Sequence, residues 1–151
     1  QNMTGTTPAA WNDPVKGTEL TKAQISQGAD VVYAAAGGTG VGVLQAAADA
    51  NILSIGVDAN QNYMHPGQVL TSMLKRVDLA VYNAFSEGES LTTGFNVMGL
   101  AEDGVGYALD EHNKSLVSAK MIESLEAEKA KIVSGKIKVH DYMSDNSCPA
   151  K

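Results

Sequence analysis

Four glycines, Gly37, Gly38, Gly40 and Gly42, follow the apolar run Val31–Ala36, and Asp58 closes a second apolar run, Ile52–Val57. Glycines between a strand and a helix bring backbone N–H groups close to a ligand at the electropositive start of the helix. The competing explanation is packing alone, in which glycine simply lets the two elements meet. A carboxylate at a strand end can accept two hydroxyl hydrogen bonds at once, which suits a ribose or sugar diol. Each such charge-assisted bond contributes about 1.5–3 kcal/mol. The alternative for Asp58 is a turn-forming role ahead of Ala59-Asn60-Gln61. Tyr33 offers either a stacking face for a flat base or a core side chain with a satisfied hydroxyl. Lys75, directly after the run Val69–Leu74, could donate to a ligand oxygen or remain solvated.

Other chemistries fit less well. Asp58 lies 20 residues beyond Gly38, the offset of the ribose-binding acid in dinucleotide sites, but the glycines do not match G-x-G-x-x-G. Val43 stands where the third glycine would follow Gly38 and Gly40. No Gly-Lys-Ser/Thr follows the turn, so no phosphate loop is present. Ser54 and Ser72 lack a G-x-S-x-G elbow and a motif-placed histidine. Glu102, Asp103, Asp110 and Glu111 cluster around turns and read as a solvated face. His65, His112 and His140 lie far apart, without metal-ligand spacing. Nothing argues for an enzyme, a metal or a cofactor.

These residues need elements to position them. Asp13-Pro14 is a helix start, with aspartate as cap and proline at the first helical position; the helix should run to about Gln27 and stop at Gly28. Val31–Ala36 reads as a strand, and Val41, Leu44 and Ala48 as one helical face. Ile52–Val57 and Val69–Leu74 are two further strands. Val77, Ala80, Val81, Ala84 and Phe85 follow the spacing of an amphipathic helix ending at Gly88. Phe95–Leu100 and Val105–Leu109 read as short strands. A last helix, about Ser118–Ser134, should bury Met121, Ile122, Leu125, Ile132 and Val133, with a final strand at Ile137–His140. Gln1–Trp11 is expected to be an edge strand or a linker. Alternating strands and helices imply an α/β fold with a mostly parallel sheet covered on both faces.

Composition sets the bounds. A chain of 151 residues normally forms one domain that buries about 70% of its unfolded surface. A net charge of −6 with Arg76 as the single arginine argues against nucleic acid, which needs clustered cations. Cys148 stands alone and builds neither a disulfide nor a zinc site. The chain begins at Gln1 without an initiator methionine or signal-peptide pattern, which is expected of a processed product or a fragment. No run of about 18 apolar residues is present to span a membrane.

The segments NDPVKG (Asn12–Gly17), QGADVVYAAAGGTGVGV (Gln27–Val43), IGVDANQ (Ile55–Gln61) and VLTSMLKRVDLAV (Val69–Val81) resemble, in order, the basic membrane protein family of ABC-transporter substrate-binding lipoproteins. The tail SAKMIESLEAEKAKIVSGKIKV is similar to the family's terminal helix and final strand. Characterised members bind purine nucleosides. The resemblance implies a type I periplasmic-binding-protein fold, two α/β lobes closing over a ligand, of which residues 1–151 would be the C-terminal lobe, a three-layer parallel-sheet unit without its preceding lobe. It implies that Tyr33 stacks on the base, that Gly37 and Gly38 offer backbone contacts, that Asp58 holds the ribose hydroxyls and that Lys75 completes the polar set. The family commonly has an acid where this chain has Asn60, and phenylalanine where it has Tyr33.

The expected function is therefore solute binding by cleft closure, without chemistry, for an ABC importer. The implied partners are a purine nucleoside, the preceding lobe packed on the helix Val77–Glu87, and an ABC permease. The implied location is periplasmic or cell-surface, anchored in the full-length parent. Two rivals remain at this point: a nucleotide-dependent enzyme domain, and a non-binding surface or antigenic lobe whose open face a homo-oligomer would cover.

Overall fold

The computed structural model describes residues 7–147. Cys148 and the start of the Gln1–Trp11 stretch lie outside the described residues. The chain divides into a unit ending at Ser118 and a smaller one beginning at Ala119.

The larger unit opens with a 3-10 turn at Pro8–Asn12, where an edge strand or linker is expected. Helix α1, Pro14–Ser26, follows with its predicted start: Pro14 occupies the first turn and the Asp13 carboxylate accepts from the Lys16 N–H at 2.9 Å. Gly28, at φ +94°, turns the chain out of the helix. Strand β1, Val31–Tyr33, is shorter than the apolar run suggests. After a last bond from the Ala34 N–H to the Ile55 carbonyl at 3.2 Å, the chain leaves the ladder to enter a 3-10 turn at Gly37–Thr39 that leads into α2, Gly40–Asp49.

Strands β2, Leu53–Asp58, and β3, Val69–Lys75, fall within one residue of expectation. The sheet order is β1-β2-β3-β4, where β4 is Val105–Tyr107. The first three strands are parallel and β4 runs antiparallel to β3, so the sheet is mixed. Helix α2 packs on β1 and β2, and α1 packs across α2. The core gathers Val32, Ala34, Leu44, Ala46, Ala47, Val57 and Val69, all essentially inaccessible to solvent. The α/β fold class is the one the alternation predicts.

Two glycines make the helix crossing possible. A Cβ on Gly42 would overlap the Pro14 carbonyl, and one on Gly17 would press on the Thr39 carbonyl. The Thr39 hydroxyl ties the same junction, donating to the Ala10 carbonyl at 2.7 Å and accepting from the Asp13 N–H at 2.8 Å. Gly40 likewise sits against the Ala34 side chain. At Gly40 and Gly42 the packing explanation of the glycine run therefore holds.

Other expectations change. Helix α3, Val77–Glu87, has its predicted bounds but buries none of its residues. Phe95–Leu100 forms no strand; Phe95 and Val97 lie open to solvent. Periodicity records which residues could share a face, not whether they pair, and this run joins no strand of the sheet. In the smaller unit α4 spans Ala119–Val133. Met121, Leu125 and Val133 are exposed and Ile122 and Ile132 only half-buried, so the expected burial is absent. Ile137–His140 is irregular, and a single turn of helix, α5, follows at Tyr142–Asp145.

Because backbone cannot yield at the α1–α2 crossing, Gly42→Ala is expected to cost about 3 kcal/mol, the upper range for overpacking. Urea unfolding checks this; wild-type stability would contradict the described crossing.

Candidate functional site

The carboxyl ends of β1, β2 and β3 place Tyr33, Asp58 and Lys75 on neighbouring strands. Tyr33 pairs with Ile55, and Asp58 pairs with Leu74, one residue before Lys75. The Lys75 Nζ lies 2.9 Å from Asp58 Oδ1. Both side chains are about half exposed (57% and 46%), so this pair contributes at most about 1 kcal/mol to stability. What the pair does is fix where the carboxylate points.

Asp58 is also the corner of a tight turn. Its φ is +68°, and the Ala59 N–H donates to the Val57 carbonyl at 2.8 Å across it. A two-residue hydrogen bond around a non-glycine residue at positive φ is a γ-turn of the rare, strained hand. Such backbone costs about 1–3 kcal/mol and persists only where surroundings over-determine it.

An open cavity of about 470 Å3 lies beside this turn, lined by Asp58, Ala59, Asn60, Leu74, Lys75, Arg76, Val77 and Asp78. Arg76 precedes α3 and Asp78 lies in its first turn, where a negative charge favours the helix. The Arg76 guanidinium donates to both oxygens of Asp78, with Nη2 at 3.0 Å and Nε at 3.0 and 3.3 Å. That hydrogen bonding holds the Asp78 carboxyl below the usual carboxylate range and raises Arg76. The four charged residues lining the cavity thus form two pairs, Asp58 with Lys75 and Arg76 with Asp78.

The remaining expected residues sit elsewhere. Tyr33 is 52% exposed, so it is not the core tyrosine of the alternative reading. Neither it nor Gly37 and Gly38 lines the cavity. A Cβ on Gly37 would lie 3.1 Å from the Trp11 carbonyl, and one on Gly38 3.0 Å from Asn12 Oδ1. Both glycines therefore have a packing reason that stands apart from any ligand.

The chain after Asp58 is held by residues that sequence reasoning passed over. Asn62, Ser72 and Asn113 are fully buried. The Ser72 hydroxyl donates to Asn62 Oδ1 at 2.8 Å and accepts from the Gln61 N–H at 2.9 Å. The Gln61 side-chain oxygen accepts from the Val57 N–H at 2.9 Å. Asp110, expected on a solvated face, is instead the hub: Oδ2 accepts from the amides of Asn60 (2.7 Å) and Asn62 (3.1 Å), and Oδ1 from the His112 N–H (2.8 Å). Asn113 fixes Asp110 in turn by accepting its N–H at 2.8 Å, while donating to the Leu70 and Ala108 carbonyls at 2.9 Å each. The only sequence signal was the density of Asn and Asp around 58–62 and 110–113, because the pairings span about fifty residues. Asn60 spends its other end on the Asn62 N–H at 3.0 Å. An acid at position 60 would face Asp110 as a like charge.

A family model described as ABC transporter substrate-binding protein PnrA-like (Bmp) matches residues 6–142. Basic membrane protein D of Borreliella burgdorferi is 38% identical over 118 residues, which cover 74% of this chain and 34% of that protein. A lipoprotein of Pyrococcus furiosus is 41% identical over 91 residues, covering 55% of this chain and 23% of that one. The chain thus spans about a third or less of these relatives. The solved structure of an ABC transporter solute-binding protein from Aeropyrum pernix K1 superposes with a TM-score of 0.75 at 28% identity. It covers 86% of this chain and 45% of that one.

The hydrogen bond from Asn60, helped by those from His112 N–H and Asn62, lowers the Asp110 carboxyl below its ordinary value of 3.8, against a smaller opposing effect of burial. A depressed folded-state value means that the stabilisation is complete above the unfolded value and fades as pH falls through the folded one. Wild type should therefore exceed Asp110→Asn in stability at neutral pH, with the gap closing below about pH 3.8. Denaturant titrations between pH 7 and pH 2.5 measure it, and a gap independent of pH would contradict the assigned network.

Proposed function

This chain belongs to the Bmp family of PnrA-like ABC transporter substrate-binding proteins, and from that premise we propose that it is the C-terminal lobe of a purine-nucleoside receptor serving an ABC permease. The family and the Aeropyrum structure are binding proteins rather than enzymes, so the nucleotide-dependent enzyme reading loses its support. Relatives that include a basic membrane protein and a lipoprotein favour an extracytoplasmic, membrane-anchored parent. Among the described residues no helix is long and apolar enough to cross a membrane.

The observation that carries the nucleoside reading is the pairing of every charge around the cavity. A phosphate is held most strongly by an unpaired cation at close range, a demand that a neutral ligand with hydroxyl groups does not make. Asp58 Oδ1 is engaged by Lys75, and its second oxygen can accept from a ribose hydroxyl. Lys75, already held at that carboxylate, reaches ligand oxygens with its remaining donors. Tyr33, half exposed at the end of the neighbouring strand, supplies a ring face for a base, and Gly37 and Gly38 contribute backbone at the same edge. Half a pocket of this kind binds by closure of a second lobe over it.

The exposed apolar side of α3 fits that arrangement. Val77, Val81, Tyr82 and Phe85 all lie open, Phe85 at 83%. The Aeropyrum structure, of which this chain covers 45%, has room for a second lobe of comparable size. In this reading α3 packs on that preceding lobe.

In the two-lobed protein, Asp58→Ala is expected to weaken adenosine, guanosine or inosine binding by about 2–4 kcal/mol, or about 30- to 1,000-fold, the loss expected for a buried charged hydrogen-bonding group. Isothermal titration calorimetry gives the answer. Wild-type affinity in the variant would sink the assignment of Asp58.

A further inference from the structure

The γ-turn at Asp58 is not maintained by its own neighbours alone. Val57 and Ala59 share one hydrogen bond across it. The Lys75 ion pair and the pairing with Leu74 hold Asp58 itself, while the segment after it is tied through Gln61, Asn60 and Asn62 to Ser72 on β3 and to Asp110 beyond β4. Asp110 differs from the rest in two respects. It reaches across fifty residues of sequence, and one of its oxygens receives two side-chain amides at once.

We propose that Asp110 is a positioning residue for the binding site, which locks the Asn60–Asn62 segment so that Asp58 is presented to the cavity in its strained turn. This rests on the reading of Asp58 as a ligand-binding carboxylate. A carboxylate is required at position 110 because three donors converge on it: the amides of Asn60 and Asn62, and the His112 N–H. An asparagine there has a single acceptor oxygen. If that oxygen serves the two side-chain amides, its NH2 points at the His112 N–H; if it is turned the other way, its NH2 points at Asn60 and Asn62. Either orientation sets donor against donor. The role is specific to this chain's combination, since Asn60 can donate to Asp110 where an acid could not. It also removes Asn60 from the set of ligand-reading groups. Asn60 lines the cavity, yet its amide is given to Asp110 and its oxygen to the Asn62 N–H.

The test is amide hydrogen exchange by NMR on this chain, without ligand. In Asp110→Asn the Val57, Ala59 and Gln61 amides are expected to exchange at least about tenfold faster, while Ile52, bonded to the Ala47 carbonyl, changes less than about twofold. The three-bond HN–Hα coupling of Asp58 should shift as its positive φ is lost. Unchanged exchange at Ala59 and Gln61 would overturn the proposal. So would acceleration shared equally with Ile52, which would mean general destabilisation rather than local positioning. Should Asp110→Asn fail to fold, Asn60→Ala removes one arm and leaves the Asn62 arm in place. It should give the same local pattern at smaller amplitude, and no local change in that variant would equally overturn the proposal. Because no ligand enters the measurement, failure of the nucleoside reading leaves this outcome separate.

Discussion

The connection from β2 to β3 is the constraint on which the site depends. Parallel strands are normally joined by a crossover of a dozen or more residues, usually a helix that satisfies its own peptide groups. Here ten residues, 59–68, separate Asp58 from Val69, with only a 3-10 turn at Asn62–Met64. A segment that short lies against the sheet with backbone and amide groups that need partners, and orphaned buried donors are expensive. Part of the need is met by backbone, as where the Gly67 N–H donates to the His112 carbonyl, and the rest by side chains: Ser72 from β3, Gln61 folding back to the Val57 N–H, and Asp110 from the loop beyond β4. Among the described residues no buried side-chain nitrogen or oxygen is left without a partner. Gly56 belongs to the same solution, since a Cβ there would meet the Ser72 hydroxyl at 2.7 Å and the Gln61 side chain at 2.8 Å.

From that constraint the character of the site follows. The short connection forces a turn immediately after β2, and the residue at its corner is the carboxylate that faces the cavity. Lys75 ends the next strand almost level with it, because Asp58 and Leu74 are register partners. Arg76 and Asp78 then pair with each other at the start of α3. The charges around the cavity therefore balance one another, the feature on which the proposal of a neutral, hydroxyl-bearing solute rests. Gly37 and Gly38, outside that cavity, are shaped by a separate set of contacts with Trp11 and Asn12.

Much of the scaffold was legible from local chemistry. The Asp13-Pro14 cap, the glycine exits at Gly28 and Gly88, and the apolar runs of β2 and β3 acted through neighbours in sequence, and the structure places those elements within a residue or two. The acidic and amide residues were harder. Asp110 carries no local mark to separate it from Glu102, which only caps its own turn by accepting the Gly99 N–H. What distinguishes Asp110 is two amides arriving from fifty residues away. Apolar periodicity misled in a different way. It located α3 and α4 correctly, but it marks a face suited to being covered and says nothing of what covers it. Phe95–Leu100 shows the same gap for strands, since an apolar run becomes a strand only by pairing, and this one pairs with no strand of the sheet.

The nucleoside proposal rests on the balanced charges around the cavity. The most direct measurement is a paired calorimetric titration of the two-lobed protein with inosine and with inosine 5′-monophosphate. Inosine should bind, and the monophosphate should bind at least about tenfold more weakly, because its charge finds no unpaired cation. Tighter binding of the monophosphate, or no binding of either, would contradict the account.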